Sequence, residues 1–257
     1  MHSSISVSDR SFNYGDGIFT TIRVSAGVLQ LWPLHVQRLQ HGATKLGFGI
    51  IDWDRVAQLA TSAVSQSEQV IKILISRGEG GRGYGCNGLD QPAIYVTASA
   101  MPDYSQYHGK GMKLGLANLQ LAVQPALAGL KHNNRLEQVM LKQELQQQND
   151  RKQPVDDLLV LDTQGYITEA TAANLMFYKN GRWFTPQLHR AGVAGVMRQY
   201  IMQHIEVEEV NWTLQQLETI EEMVICNALM GVIPVQSFEH QRFSISAGQQ
   251  LHKQVLC

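Results

Sequence analysis

The stretch from Asp157 to Thr185 constrains the fold more than any other part of the chain. Four short segments, Asp157–Asp162, Tyr166–Glu169, Asn174–Tyr178 and Arg182–Thr185, carry turn signals between them at Thr163-Gln164-Gly165 and Lys179-Asn180-Gly181. Asn-Gly supplies the left-handed backbone that a tight hairpin needs, so the spacing predicts a consecutive antiparallel meander. Elsewhere the period is helical. From Leu34 onward Val36, Leu39, Ala43 and Leu46 recur on one face, with Pro33 suited to the first turn and Gly47 to the end. Further helices are expected from Trp53 to Ser67, from Val196 to Ile205, and after Lys131, where Leu136, Val139, Met140 and Leu145 make an apolar stripe. Additional strands are expected at Phe19–Val24, Val28–Leu31, Val70–Ser76, Ala93–Ala98, Met112–Leu116, Met223–Cys226 and Gly231–Val235. Hairpins interspersed with helices, without strict strand–helix alternation, place the chain in the α+β class.

A chain of 257 residues can build one large core or two modest ones. The polar, glycine-bearing run through Pro102, Asp103, Ser105 and Gly109 is the best connector. The expected organisation is a small N-terminal domain over residues 1–104, a linker over 105–111 and a larger domain over 112–257. A net charge of -1 gives no electrostatic reason for a nucleic-acid or anionic-membrane partner, which leaves a small molecule as the default ligand. No apolar run approaches the roughly 20 residues that span a bilayer. The segment from Met1 to Arg10 lacks the basic and apolar regions of a secretory signal, so the expected location is the cytoplasm. Cys86, Cys226 and Cys257 are too widely spaced for a zinc site and are expected to be reduced and unpaired.

Several chemistries are excluded by context. Gly78-x-Gly80-x-x-Gly83 spells a dinucleotide fingerprint, but Tyr84-Gly85-Cys86-Asn87-Gly88 is a poor start for the helix that must receive a pyrophosphate. A flexible loop is the better reading. His35, His41, His132 and His189 lack metal-ligand spacing, and there is no G-x-S-x-G elbow. Arg77 and Arg82, beside mobile glycines, have the forked chemistry that captures carboxylates, although alone they read as solvated loop residues. Lys131 sits where a loop becomes a helix, and Glu169 ends a strand before the small run Ala170-Thr171-Ala172-Ala173-Asn174. Taken singly, both read as surface charges.

Six segments read together change that. They are Ser8-Asp9-Arg10-Ser11-Phe12 with Tyr14-Gly15-Asp16-Gly17-Ile18-Phe19; His35-Val36-Gln37-Arg38-Leu39; Leu130-Lys131-His132-Asn133-Asn134-Arg135-Leu136-Glu137; Ile167-Thr168-Glu169-Ala170 with Ala173-Asn174-Leu175; Gly192-Val193-Ala194-Gly195 with Met197-Arg198; and Cys226-Asn227-Ala228-Leu229-Met230. In this order, over nearly the whole chain, they resemble the fold type IV enzymes that use pyridoxal 5'-phosphate (PLP), the family of branched-chain and D-amino-acid transaminases and aminodeoxychorismate lyases. The resemblance implies a smaller N-terminal α/β sandwich-like domain, a larger C-terminal β-barrel-like domain with helices, and a homodimer. It makes Lys131 the Schiff-base lysine and Glu169 the partner of the pyridine nitrogen. Arg38, the Val193 and Ala194 amides, Asn227 and Ala228 would hold the phosphate, with Asn174 also among the cofactor-binding residues. Ser76-Arg77-Gly78-Glu79-Gly80-Gly81-Arg82-Gly83-Tyr84, Lys131 to Gln138, and Val224 to Met230 are similar to the lyase branch. That branch implies conversion of 4-amino-4-deoxychorismate to 4-aminobenzoate and pyruvate, a step towards folate, with Lys131 or Thr21 supplying a proton. Substrate carboxylates would meet Arg77, Arg82 or Arg23, with Tyr14 or Tyr84 shaping the pocket. The alternatives are a D-amino-acid or branched-chain transaminase on the same scaffold and, more remotely, a nucleotide-binding or non-catalytic protein. Only Met1 to Val7 precede the Ser-Asp-Arg motif, so the family's first strand looks abbreviated.

Overall fold

The computed structural model describes residues 5–150 and 154–256. The abbreviated first strand falls partly on Met1 to Ser4, which lie outside the described residues, as does Cys257. The chain forms two compact units: one runs to Pro102 and takes in Leu130–Arg135, and the other comprises Asp103–Gly129 and the chain from Leu136 onward.

In the first unit, α1 (Arg10–Tyr14) leads into β1 (Gly17–Ser25), β2 (Val28–Leu29), α2 (Trp32–Lys45), α3 (Trp53–Ser62), β3 (Gln69–Ser76) and β4 (Ala93–Ser99). The strands form one antiparallel sheet in the order β2-β1-β3-β4. The β1–β2 turn is tight because Ala26 and Gly27 both take positive φ, 51° and 76°, whose twist suits a hairpin. Alternation along β1 sorts its two faces. Ile18, Ile22 and Val24 join Ile71, Ile73 and Ile75 against Leu39 and Ala43 of α2 and Val56 and Ala60 of α3. Phe19, Thr21 and Arg23 take the opposite face and stay half-buried. Helix α3 stops at Ser62, short of the expected Ser67, because the buried Gln69 side chain accepts from the Ser65 and Gln66 amides (3.1 and 2.7 Å) and donates to the Ala63 carbonyl (3.0 Å).

The second unit holds α4 (Ser105–Lys110), β5 (Met112–Leu116), α5 (Leu136–Asn149), β6 (Asp157–Leu161), β7 (Ile167–Ala170), β8 (Asn174–Lys179), β9 (Arg182–Pro186), α6 (Val196–His204), β10 (Val207–Val210), α7 (Leu214–Leu217), β11 (Glu222–Asn227), β12 (Gly231–Phe238), β13 (Gln241–Arg242) and α8 (Ser246–Leu256). Its sheet runs β10-β9-β8-β11-β12-β5-β6-β7, with β13 on β12. β7, at one end of that order, returns beside β8 and β9 without ladder hydrogen bonds, so the sheet curls into the expected barrel-like form. Phe177, Leu175, Ile225, Ile233 and Val235 fill its interior.

Three expectations are corrected here. The strands from Asp157 to Thr185 are two hairpins, not one meander: β6 pairs β7 and β8 pairs β9, but β11 takes the free edge of β8. The polar run 105–111 is not an extended connector but carries α4, whose Tyr107 packs on the core of the second unit. The apolar stripe of α5 points outward, with Leu136, Val139 and Met140 at 71%, 51% and 47% exposure, while Leu141 is its buried residue. No helix among the described residues is long and apolar enough to cross a membrane.

Helix α8 begins on a carboxylate from another strand. Glu222, the first residue of β11, accepts from the Ser246 hydroxyl (2.9 Å) and from the amides of Ala247 (3.0 Å) and Gly248 (2.9 Å). Burial alone would raise its pKa, but these donors prevail and hold it below the usual 4.5. A group with a depressed folded-state pKa stabilises above its unfolded value and loses that contribution as pH falls through the folded one. Glu222→Gln should therefore cost about 1–2 kcal/mol at neutral pH, the size of a lost helix cap. In urea unfolding, the gap from wild type should close as pH drops below 4.5.

Candidate active site

The first unit gathers cations around the turn that carries Lys131. The Lys131 carbonyl accepts from the Phe19 amide (2.9 Å), and the Asn133 amide donates to the Gly17 carbonyl (2.9 Å), so the turn is stitched along the start of β1. A Cβ on Gly17 would meet Asn133 Nδ2 at 2.7 Å, so a larger residue there would push that side chain aside. Arg135 closes the turn by donating to the carbonyls of His132 (2.8 Å) and Leu130 (2.6 Å). Lys131 Nζ lies 4.7 Å from the centroid of the Phe19 ring. Thr21 shares that face of β1.

Arg38, one turn of α2 beyond the buried His35, donates from Nη2 to the Thr20 hydroxyl. Its Nε is buried with no hydrogen-bond partner. Burial, together with the Arg135 cation, pushes the Arg38 pKa down to about 9. Burial and Arg135 also bring His132 down to about 4, and burial with Arg38 and Lys131 carries His35 well below its usual 6.5. The two imidazoles are thus neutral at physiological pH, and an arginine with a depressed pKa and an unsatisfied buried donor fits a bound anion.

The second unit supplies a buried carboxylate and an open helix N-terminus. Glu169 is 5% exposed at the end of β7 and accepts from the Val193 amide at 2.8 Å. Gly192, with φ of 82°, allows this approach; a Cβ there would lie 2.7 Å from Thr168 Cγ2 and 3.1 Å from Glu169 Oε2. The Ala194 amide donates to the Gly129 carbonyl (3.0 Å), and Asn174 Nδ2 donates to the Val193 carbonyl (2.8 Å). The Val193 and Ala194 amides, expected to bind phosphate, are therefore spent on holding the loop. The next amides, those of Val196 and Met197, open α6 behind the N-cap Gly195, which has no side-chain cap. Four orphan N–H groups at such a terminus form a ready anion site. The sequence signal for these amides is Gly195 as the N-cap of the periodic run from Val196. Asn227 uses Oδ1 on the Leu229 and Met230 amides (both 2.9 Å) and Nδ2 on the Ala172 carbonyl (3.1 Å), so its side chain shapes the turn that displays Ala228.

The arginines proposed for substrate separate clearly. Arg77 is 6% exposed and engaged through all three nitrogens: Nε on Asp16 (2.7 Å), Nη1 on the Gly47 carbonyl and Nη2 on the Leu46 carbonyl (both 2.7 Å). It is an internal brace. Burial favours a neutral Asp16, but Arg77 and Arg10 outweigh it and hold that carboxyl below its usual range. Arg10, missed as a functional residue, donates to the carbonyls of Gly83 (3.2 Å), Tyr84 (3.1 Å) and Gly85 (3.1 Å), so it pins the glycine loop. Arg82 is exposed on that loop, and Tyr84, 85% exposed, meets Tyr14 edge-on at 5.4 Å. Arg23 makes a long contact to Glu68 (3.5 Å) on the surface.

Comparison with known proteins adds an independent line. The model of the family described as amino-transferase class IV matches residues 17–238. The chain is 39% identical to an aminodeoxychorismate lyase of Vibrio harveyi over 90% of its own length and 86% of that protein. The crystal structure of 4-amino-4-deoxychorismate lyase from Pseudomonas aeruginosa matches with a TM-score of 0.92 at 31% identity, covering 99% of this chain and 95% of that one. A branched-chain amino acid aminotransferase of Escherichia coli matches at 0.86 with 19% identity, covering 98% and 88%, and shows the shared fold.

Proposed function

Because the chain belongs to the class IV aminotransferase family, we propose that it is a PLP-dependent lyase that converts 4-amino-4-deoxychorismate to 4-aminobenzoate and pyruvate. The observation that carries the cofactor reading is Arg38, with its buried, unpartnered Nε beside Arg135 and close to the turn of Lys131. The lyase assignment is supported by the 39% identical relative, against 24% for a D-alanine aminotransferase of Bacillus licheniformis.

The residues present fit PLP. Arg38 and the first-turn amides of α6 suit the phosphate, Lys131 the aldehyde, and the Glu169 carboxylate the pyridine nitrogen. When bound, the cofactor supplies an electron sink for charge developing at the amine-bearing carbon. Glu169 holds a proton on the ring nitrogen. The Lys131 amine would remove the proton from that carbon. Loss of the enolpyruvyl group aromatises the substrate ring, and Lys131 or Thr21 returns a proton to the departing enolpyruvate. Arg82 and Arg23 are the arginines left to meet substrate carboxylates, with Tyr14 and Tyr84 at the glycine loop. We place the enzyme in the cytoplasm as a homodimer, a reading supported by the exposed apolar stripe of Leu136, Val139 and Met140.

The test is to supply 4-amino-4-deoxychorismate to the PLP-loaded protein and follow both products. Equal yields of 4-aminobenzoate and pyruvate are expected; amino-group transfer between amino and keto acids without them would return the protein to the transaminases. Arg38→Ala should weaken PLP binding roughly 10- to 100-fold, the scale of a lost hydrogen bond to a charged group. Titration of the apo-protein by cofactor absorbance measures it.

A further inference from the structure

One buried polar pair is left without a role by this chemistry. Thr20 and His35 are both 0% exposed, on the face of β1 and α2 that packs the apolar core. His35 Nδ1 lies 2.6 Å from Thr20 Oγ1, and the same oxygen receives Arg38 Nη2. A guanidinium can only donate, so the Thr20 oxygen is an acceptor towards Arg38. Its single proton is then free to point at His35 Nδ1, which in that arrangement is the unprotonated nitrogen. That arrangement makes His35 the neutral tautomer with its proton on Nε2, a nitrogen that is buried without a hydrogen-bond partner.

We propose that Thr20 and His35 are positioning residues for Arg38: the imidazole takes the hydroxyl proton, so that the hydroxyl oxygen faces and orients the guanidinium that receives the cofactor phosphate. The neutral state of His35 matters to this arrangement. A protonated imidazole would have no acceptor for the Thr20 proton and would add a cation beside Arg38. Burial, Arg38 and Lys131 all oppose that protonation. Replacing the pair by apolar residues would suit the surrounding core, yet it would leave the Arg38 head group with one contact fewer.

The inference rests on Arg38 binding the phosphate, and the experiment separates the two claims. Apo-protein variants are titrated in parallel with PLP and with pyridoxal, which lacks the phosphate. Thr20→Val should weaken PLP binding about 3- to 10-fold, a part of the loss expected for removing the Arg38 head group itself, and leave pyridoxal binding unchanged. Thr20→Ser should restore PLP binding. The double variant Thr20→Val with Arg38→Ala should bind PLP no more weakly than Arg38→Ala alone. Nitrogen-15 NMR of the His35 ring should show the Nε2–H tautomer through the neutral pH range. Wild-type PLP affinity in Thr20→Val, equal weakening of PLP and pyridoxal, additive losses in the double variant, or an Nδ1–H ring would each overturn the proposal. A wild-type protein that binds PLP no better than pyridoxal would overturn the Arg38 assignment itself.

Discussion

Lys131→Ala is expected to bring 4-aminobenzoate and pyruvate formation down by at least about 10⁴-fold, since it removes both a covalent anchor and a proton-transfer group worth roughly 10²–10⁴ on its own. The fold should survive. The turn is held by backbone and neighbouring side chains: the carbonyl of residue 131 to the Phe19 amide, Asn133 to Gly17, and Arg135 to the carbonyls of residues 130 and 132. None of these uses Nζ, which lies 4.7 Å from the centroid of the Phe19 ring. The variant should therefore melt near wild type while losing the cofactor linkage. Borohydride treatment of the PLP-loaded wild type, followed by peptide mapping, should put the cofactor mass on the peptide containing Lys131 and nowhere else. A stably folded Lys131→Ala protein that retains a hundredth or more of wild-type turnover would exclude Lys131 as the catalytic amine.

The ladder of β strands was largely legible because local chemistry dictated it. Met112–Leu116 has the same bounds in sequence and structure, and the Asn180-Gly181 turn takes positive φ at both residues, 51° and 76°. Non-local pairing was not legible. Nothing in the run from Glu169 to Asn174 announces that β11, some fifty residues on, will occupy the edge of β8. The outward face of α5 was hidden for a related reason: a stripe of Leu136, Val139 and Met140 has the same periodicity whether a core or solvent receives it. At the site, the residue types were readable but their commitments were not. Arg77 reads as a carboxylate binder because its loop is rich in glycine, yet two carbonyls and Asp16 engage all three of its nitrogens. Arg10, in a segment noticed only for its spelling, turned out to hold that loop through three carbonyls. Hydrogen-bond saturation is a property of the folded backbone, which is why an arginine's sequence context cannot rank it as brace or ligand.

Glu169→Gln isolates charge from geometry, and it should slow the lyase by roughly 10- to 1000-fold with little change in stability. The amide keeps an oxygen that can accept from Val193, now paired with Glu169 Oε2 at 2.8 Å, so the loop around Gly192 retains its anchor. What disappears is the negative charge. An adjacent carboxylate raises the pKa of a basic nitrogen by about 1–3 units, and at 1.36 kcal/mol per unit that range, carried fully into the barrier, spans the stated loss. The effect should fall on kcat, because the Arg38 contact and the α6 amides proposed for the phosphate are untouched. Glu169→Asp keeps the charge but withdraws it by one methylene, so it should lie between wild type and Glu169→Gln. Steady-state kinetics at saturating PLP, with the absorption band of the bound cofactor followed alongside, reads both quantities. Turnover within two-fold of wild type in a cofactor-saturated Glu169→Gln enzyme would mean that the ring nitrogen does not depend on this carboxylate. Its burial at the end of β7 would then serve its structural contacts, the Val193 amide among them.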